Sequence, residues 1–357
     1  MAGPRGYSSY RGRVSKLKVA LAVLLVLVIF AAGAVIYLQR YCIVYDEEGR
    51  PVMKLPWLEE NEPPPSNIHA TTEPEDPVVV IADPVEPPPE EVETILPLTI
   101  FSLPSEALTA AKWEAAFAAK PENGNAVVLT MKDSAGVIYY DAAGAVSGAV
   151  KTQADTAAAL AAVTGQEDLY TIARLGCLHD SRAAKADVNG RGLKNTGGYI
   201  FYDQKNTQWL DPSKQGTRDY LAGMAQELAA MGFDEILLTD VSYPTAGKLT
   251  KIAYGDIPKE ENLAGLVEAL HTALEPYDVA LSIEVSGSTV STGKDEVAGI
   301  NLAKILPWVD RVYAESAAEN VETYQTVLSL MAEDVVFVPE LAADDPTVTG
   351  DKWVLTS

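Results

Sequence analysis

Beyond Pro97, short apolar or β-branched runs alternate with longer segments of helical spacing, which predicts an α/β protein with a parallel sheet. Eight strands are predicted, over 98–103, 126–132, 170–175, 235–240, 279–285, 311–314, 335–338 and 353–356. Helices are predicted over 105–119, 152–164, 214–231, 260–274, 302–308 and 321–332, the first capped by Ser105 with Leu108 and Trp113 beyond it. The stretch from Gly232 to Pro244 carries the clearest boundaries. Gly232 ends a helical run in the manner of a C-cap, and Ile236 to Thr239 are apolar or β-branched, as in a strand covered on both faces. Pro244 cannot continue a central ladder, so the strand stops close to Asp240. The segment 342–351 is too short and acidic for a helix, and none follows the last strand in the given sequence. Eight β-units in about 260 residues fit a (β/α)8 barrel, the TIM barrel, lacking its last helix. A doubly wound sheet is the alternative.

If the sheet closes into a barrel, chemistry belongs at the C-terminal ends of its strands. Asp240 stands at such an end. In the fifth strand Val279, Leu281, Ile283 and Val285 alternate with Ala280, Ser282 and Glu284, so the two sets face opposite sides. The apolar set is expected against the outer helices, which aims Glu284 into the barrel near its rim. Lys132 and Asp133 close the second strand, Arg174 lies within the third, and His179 and Asp180 follow it. Glu315 and Glu340 end the sixth and seventh. An insertion over 189–212 carries Tyr199, Phe201, Tyr202 and Trp209, suited to stacking on a sugar face or to packing as a small hairpin.

Ahead of the predicted barrel, the pattern changes twice. Val19 to Leu38 is a run of 20 uncharged, mostly aliphatic residues, long enough to span a bilayer. Arg5, Arg11, Arg13, Lys16 and Lys18 precede it, so residues 1–18 are expected in the cytoplasm and the remainder outside, in a single-pass cell-membrane protein. The competing reading is a cleaved secretory signal, with Ala32-Gly33-Ala34 as the cleavage site. Residues 39–96 form an acidic, proline-rich linker containing Pro63-Pro64-Pro65 and Pro87-Pro88-Pro89, a composition that favours extended chains or simple disorder. At roughly 3.1 Å per residue, about 50 such residues reach on the order of 150 Å. Its one apolar island is Val78-Val79-Val80-Ile81.

The net charge of -23 argues against nucleic-acid partners and polyanionic substrates. Cys42 and Cys177 make no disulfide framework, and Cys177, just past the predicted third strand, is expected to be a buried, inert thiol. His69, His179 and His271 have no metal-ligand spacing, so neither a structural metal nor a cofactor is expected.

Several motifs carry a resemblance: Lys132-Asp133-Ser134 with Gly136, Ile172-Ala173-Arg174, Trp209-Leu210-Asp211-Pro212, Gly232-Phe233-Asp234-Glu235-Ile236, and Asp240 through Tyr243-Pro244. Together they resemble the glycosyl hydrolase domain family of bacterial envelope proteins, a TIM-barrel family distantly similar to the α-amylase-type glycosidases. The resemblance covers about 98–315 and is most specific over 209–244. It implies a carbohydrate substrate, a nucleophile at Asp240 and an acid/base at Glu284. Apart from the resemblance, the strand ends, the insertion and the matched motifs supply the expected substrate-binding set: Lys132, Asp133, Arg174, Asp180, Trp209, Asp211, Tyr243, Glu315 and Glu340. Two positions depart from the pattern: Ser242 where the family has a basic residue, and Leu238 where amylase-type enzymes carry an arginine. Neighbouring strands lie about 4.8 Å apart, so the two acids could approach the roughly 5–5.5 Å of retaining enzymes. The expected function is thus a membrane-anchored, extracytoplasmic glycoside hydrolase acting on a neutral rather than a polyanionic glycan of the cell envelope. A degenerate barrel that binds glycan without cleaving it, and an envelope scaffold for a protein partner of unknown kind, are the alternatives.

Overall fold

The structure is a computed structural model that describes residues 97–104 and 106–355, with the backbone of two short strands nearer the N-terminus, Ile43–Tyr45 and Pro51–Met53. Those two strands pair antiparallel within a unit spanning Met1–Pro89, at positions expected to be linker. Among the described residues no helix is long and apolar enough to cross a membrane. The expected anchor at 19–38, the apolar island at 78–81 and the rest of the linker lie outside the described residues.

The second unit, Glu90–Ser357, is built on eight parallel strands. They are β1 (Thr99–Ser102), β2 (Ala126–Lys132), β3 (Tyr170–Gly176), β4 (Glu235–Thr239), β5 (Ala280–Glu284), β6 (Arg311–Glu315), β7 (Val336–Leu341) and β8 (Lys352–Val354). Each pairs with its neighbours in chain order, and β8 returns to β1 through Lys352 opposite Thr99 and Trp353 opposite Ile100. That pairing closes the ring and removes the doubly wound alternative, which would leave two open edges. Between the strands stand α1 (Ala110–Ala118), α2 (Thr156–Thr164), α3 (Ser181–Ala186), α4 (Gln215–Ala230), α5 (Lys259–Leu274), α6 (Gly287–Thr292), α7 (Leu302–Ile305) and α8 (Val321–Ser329). No helix is described after β7 or β8.

The first helix starts later than its sequence suggests. Thr109, in extended backbone, accepts from the Lys112 amide at 3.3 Å and caps it, while Ser105 lies outside the described residues. Helix α4 ends as expected: Gly232 has φ +87° and returns its N–H to the Ala229 carbonyl at 3.0 Å.

Alternation along the strands divides the core in two. Ile100, Val128, Ile172, Leu237, Tyr313, Val338 and Trp353 fill the barrel interior. Leu129, Ala173, Ile236, Leu238, Leu281 and Ile283 belong to the larger layer under the helices. Ser282 is in register with Leu237 and Arg311, so β5 turns Ala280, Ser282 and Glu284 inwards as its sequence predicts. A polar plug sits at the N-terminal ends. Glu235, fully buried, accepts from the Tyr170 hydroxyl at 3.1 Å and from Arg311 Nη1 at 2.9 Å, and Arg311 also reaches Asp351 at 3.3 Å. The floor is thereby closed, leaving the C-terminal end as the mouth.

Candidate active site

Strict alternation from Glu235, Leu237 and Thr239 would send Asp240 outwards, towards the helices. It does not go there. Asp240 has φ +53°, a left-handed conformation that among described non-glycine residues it shares only with Asn206. Aspartate tolerates that region better than most residues, though at some cost in strain. The reversal breaks the pleat one residue past the strand and puts Asp240 on the wall of a cavity of about 550 Å³ at the barrel mouth. Glu284 from β5, Glu315 from β6 and Glu340 from β7 line the same cavity, with Ser242, Thr245, Ser286 and Asp295.

Arg174, from β3, binds Glu284 with both arms: Nε to Oε2 at 2.9 Å and Nη2 to Oε1 at 2.8 Å. Such a fork fixes a carboxylate's orientation as well as adding charge-assisted bonds. The guanidinium carbon also stands 6.0 Å from the centre of the Trp353 ring. Burial raises the Asp240 carboxyl above its ordinary range, and the positive potential of His179, Lys132 and Arg174 pulls it back. Lys132 from β2 and Arg174 from β3 thus place positive charge near Asp240, while Leu238 carries none. Leu238 itself is fully buried in the outer layer, where an arginine would have no path to the mouth. Glu284 is also raised, by burial first, with Arg174 opposing and Asp240 and Glu315 adding to the rise. Glu340 is pushed up to about 8, by burial and then by the charge of Glu284.

Of the residues expected to bind substrate, Arg174, Glu315 and Glu340 meet Asp240 and Glu284 at the mouth, and the others are committed elsewhere. Lys132 and Asp180 are fully buried and paired with each other at 2.9 Å, and Lys132 Nζ also donates to the Gly176 carbonyl at 2.5 Å. The cause is a bulge in β2. After Thr130 faces Arg174 the register slips, and Lys132 faces Leu175. A one-residue slip exchanges inside for outside, so Lys132 takes the outward phase of Leu175. Asp180 caps α3, accepting from the amides of Arg182 (3.0 Å) and Ala183 (2.8 Å). Burial would raise its carboxyl, but Lys132 and these amides more than offset that, and its pKa is lowered. Gly136, at φ +75°, lies so close that a Cβ there would stand 2.1 Å from Asp180 Oδ1.

Asp133 is used by its own loop, accepting from the amides of Ala135 and Val137 and from the Tyr139 hydroxyl, each at 2.9 Å. Asp211 accepts from the Ser213 amide and hydroxyl and shapes the turn into α4. Tyr243 is buried, packs edge-on against Tyr254 and contacts Asn262 through its hydroxyl at 3.3 Å. Trp209 is largely buried: its indole N–H donates to Asp203 at 3.1 Å and its ring stacks on His179 at 4.4 Å. The insertion thus packs part of its own aromatic set, while Tyr199 and Tyr202 remain exposed beside a separate groove with Lys248 and Lys251. Cys177 is free and buried, its thiol pushed up to about 12 by burial. Among the described residues no His, Cys, Asp and Glu cluster is arranged to hold a metal ion.

Thr245, Ser286 and Asp295 also line the site, and none of them stood out in the sequence. Ser286 was accessible in principle, since it continues the phase of Ala280, Ser282 and Glu284. Asp295 comes from a two-residue antiparallel pairing, Lys294–Asp295 with Ile300–Asn301, too short to leave a pattern.

No curated protein matches the chain. Similar solved structures include a hypothetical protein from Ruminiclostridium thermocellum ATCC 27405, 24% identical, covering 49% of this chain and 91% of that one, with a TM-score of 0.40. The glycoside hydrolase domain of PgaB (BpsB) from Bordetella bronchiseptica is 12% identical, covers 73% of this chain and 94% of that one, and has a TM-score of 0.48. For the glycoside hydrolase domain of PelA from Pseudomonas aeruginosa the figures are 17%, 70%, 85% and 0.37. Residues 105–314, more than half of the chain, match the family described as "Putative glycosyl hydrolase domain", and the chain belongs to that family.

Proposed function

We propose that the protein hydrolyses glycosidic bonds at the barrel mouth, with Asp240 as the nucleophile and Glu284 as the carboxylate that works beside it. The observation that carries this reading is the strained backbone at Asp240, which brings an acid that alternation would hide into one cavity with Glu284. Left-handed non-glycine residues persist where the surroundings hold them there, and they cluster at functional sites. The cavity volume lies within the roughly 300–1,000 Å³ of small-ligand sites. Its carboxylate-rich wall favours a neutral glycan over a polyanion. The run at 19–38 would anchor the barrel outside the cytoplasmic membrane, in reach of envelope glycans.

Replacing Asp240 by Asn keeps the shape and the tolerance for left-handed backbone while removing the nucleophile. The expected result is loss of reducing-end release from envelope polysaccharides and aryl glycosides, with glycan pull-down retained. An Asp240→Asn protein as active as the wild type would dispose of the assignment. A wild type that binds glycan but releases no product would favour the non-cleaving binder, which uses the same cavity.

A further inference from the structure

Cleaving a glycosidic bond requires a proton for the departing oxygen, so one carboxyl in the pocket must hold a proton at neutral pH. Glu284 is poorly arranged to do so, because both its oxygens accept from Arg174 and a proton would displace one arm of that fork. Glu315 is exposed to solvent. Glu340 differs from both. It is 8% exposed, lines the cavity, and its Oε1 has no hydrogen-bond partner among the described residues. The charged groups acting on it are Glu284 from β5, Glu315 from β6 and Arg174 from β3, the last already engaged by Glu284. On its other side β8 sets the uncharged Trp353 in register with it. A buried carboxyl with two anions nearby and no cation of its own keeps its proton.

Position supports the same choice. In the ring of strands β7 stands three places round from β4, while β5 is its immediate neighbour. Asp240 and Glu340 can therefore flank a sugar held in the mouth, as the two carboxyls of glycosidases do. Asp240 and Glu284 come instead from the ends of neighbouring strands.

We propose that Glu340 is the general acid of this site, donating its proton to the leaving glycosidic oxygen while Glu284, oriented by Arg174, stays ionised and stabilises the positive charge that develops on the sugar. The inference rests on the hydrolase reading. As the bond between C1 and the leaving oxygen breaks, its electron pair stays on that oxygen, which takes the Glu340 proton, and the Asp240 carboxylate bonds to C1. Glu340, now a carboxylate, then takes a proton from water. The water oxygen bonds to C1 and the bond to Asp240 breaks, restoring both groups.

Two measurements on the full chain test this. Infrared titration with 13C-labelled glutamate should find a carboxyl that ionises near pH 8; the signal should vanish in Glu340→Gln and survive in Glu315→Gln. Its persistence in Glu340→Gln, or its absence from the wild type, overturns the proposal. In kinetics, Glu340→Gln should lose about 10²–10⁴-fold in kcat/KM on glycosides with alkyl or sugar leaving groups. On 2,4-dinitrophenyl glycosides, whose leaving group needs no proton, the loss should stay within about tenfold. Equal losses on both classes, or none, refute the acid role. A wild type that cleaves neither class defeats the hydrolase reading and the transfer step with it, whereas an active wild type with an unaffected Glu340→Gln defeats this inference alone.

Discussion

At the scale of single residues, the site depends on two departures from regular strand geometry. One is the left-handed backbone at Asp240, which faces a side chain inwards that the pleat would face outwards. The other is the slip in β2, which removes Lys132 from the mouth and buries it against Asp180. Both were invisible in the sequence, because a polar residue at a strand end looks the same whichever way it turns. Lys132 and Asp180 now have structural work: each neutralises the other in a place without solvent, and Tyr220 adds its hydroxyl at 3.3 Å. Lys132→Met should therefore cost about 3–5 kcal/mol in urea denaturation, since it leaves a buried carboxylate without its cation. A loss under about 1 kcal/mol would mean that the pair is not the buried, mutually dependent unit described.

At the scale of elements, three consecutive strands each contribute an inward acid to the mouth: β5 Glu284, β6 Glu315, β7 Glu340. Their shared phase could be read from alternation, and Glu284 was. The differences among them could not, because they arise from what the neighbouring strands bring. Arg174 from β3 reaches Glu284, whereas β8 sets the uncharged Trp353 in register with Glu340. The consequence for stability has a definite sign. The Glu340 carboxyl is raised in the folded state from an ordinary 4.5 to about 8, so the folded protein binds its proton more tightly than the unfolded chain does. That contribution is complete below pH 4.5 and is lost as pH climbs through about 8. Thermal unfolding should show the wild type losing stability across that window, with Glu340→Gln losing less. Parallel curves for the two proteins would show that the group titrates normally.

The whole molecule divides at about residue 90, with the barrel unit running over Glu90–Ser357. Its closure depends on strands at opposite ends of this unit, β8 completing the ring beside β1. A fragment 90–357 should fold with a single cooperative transition and a midpoint within about 4 °C of the full chain, equivalent to less than about 1–2 kcal/mol for a domain of this size. A broad or strongly lowered transition would show that residues before 90 contribute to the core. Truncation from the other end, before β8, should instead abolish the cooperative transition, because β7 and β1 would both become unpaired edges.

Hydrophobic alternation by itself determined the eight strands, the inward phase of β5 and the end of the chain's fourth β-unit near Asp240. These are local matters: period, β-branching, and the glycine and proline that stop an element. The motifs between Lys132 and Pro244 likewise pointed to the family, whose match spans 105–314. Only the tertiary structure decided that the sheet closes, that Arg174 pairs with Glu284, that Lys132, Asp180, Trp209, Asp211 and Tyr243 are engaged within the scaffold, and that no described cation is paired with Glu340. Those outcomes turn on register slips, backbone handedness and burial. All three are set by residues distant in sequence, and burial decides whether an acid keeps its proton.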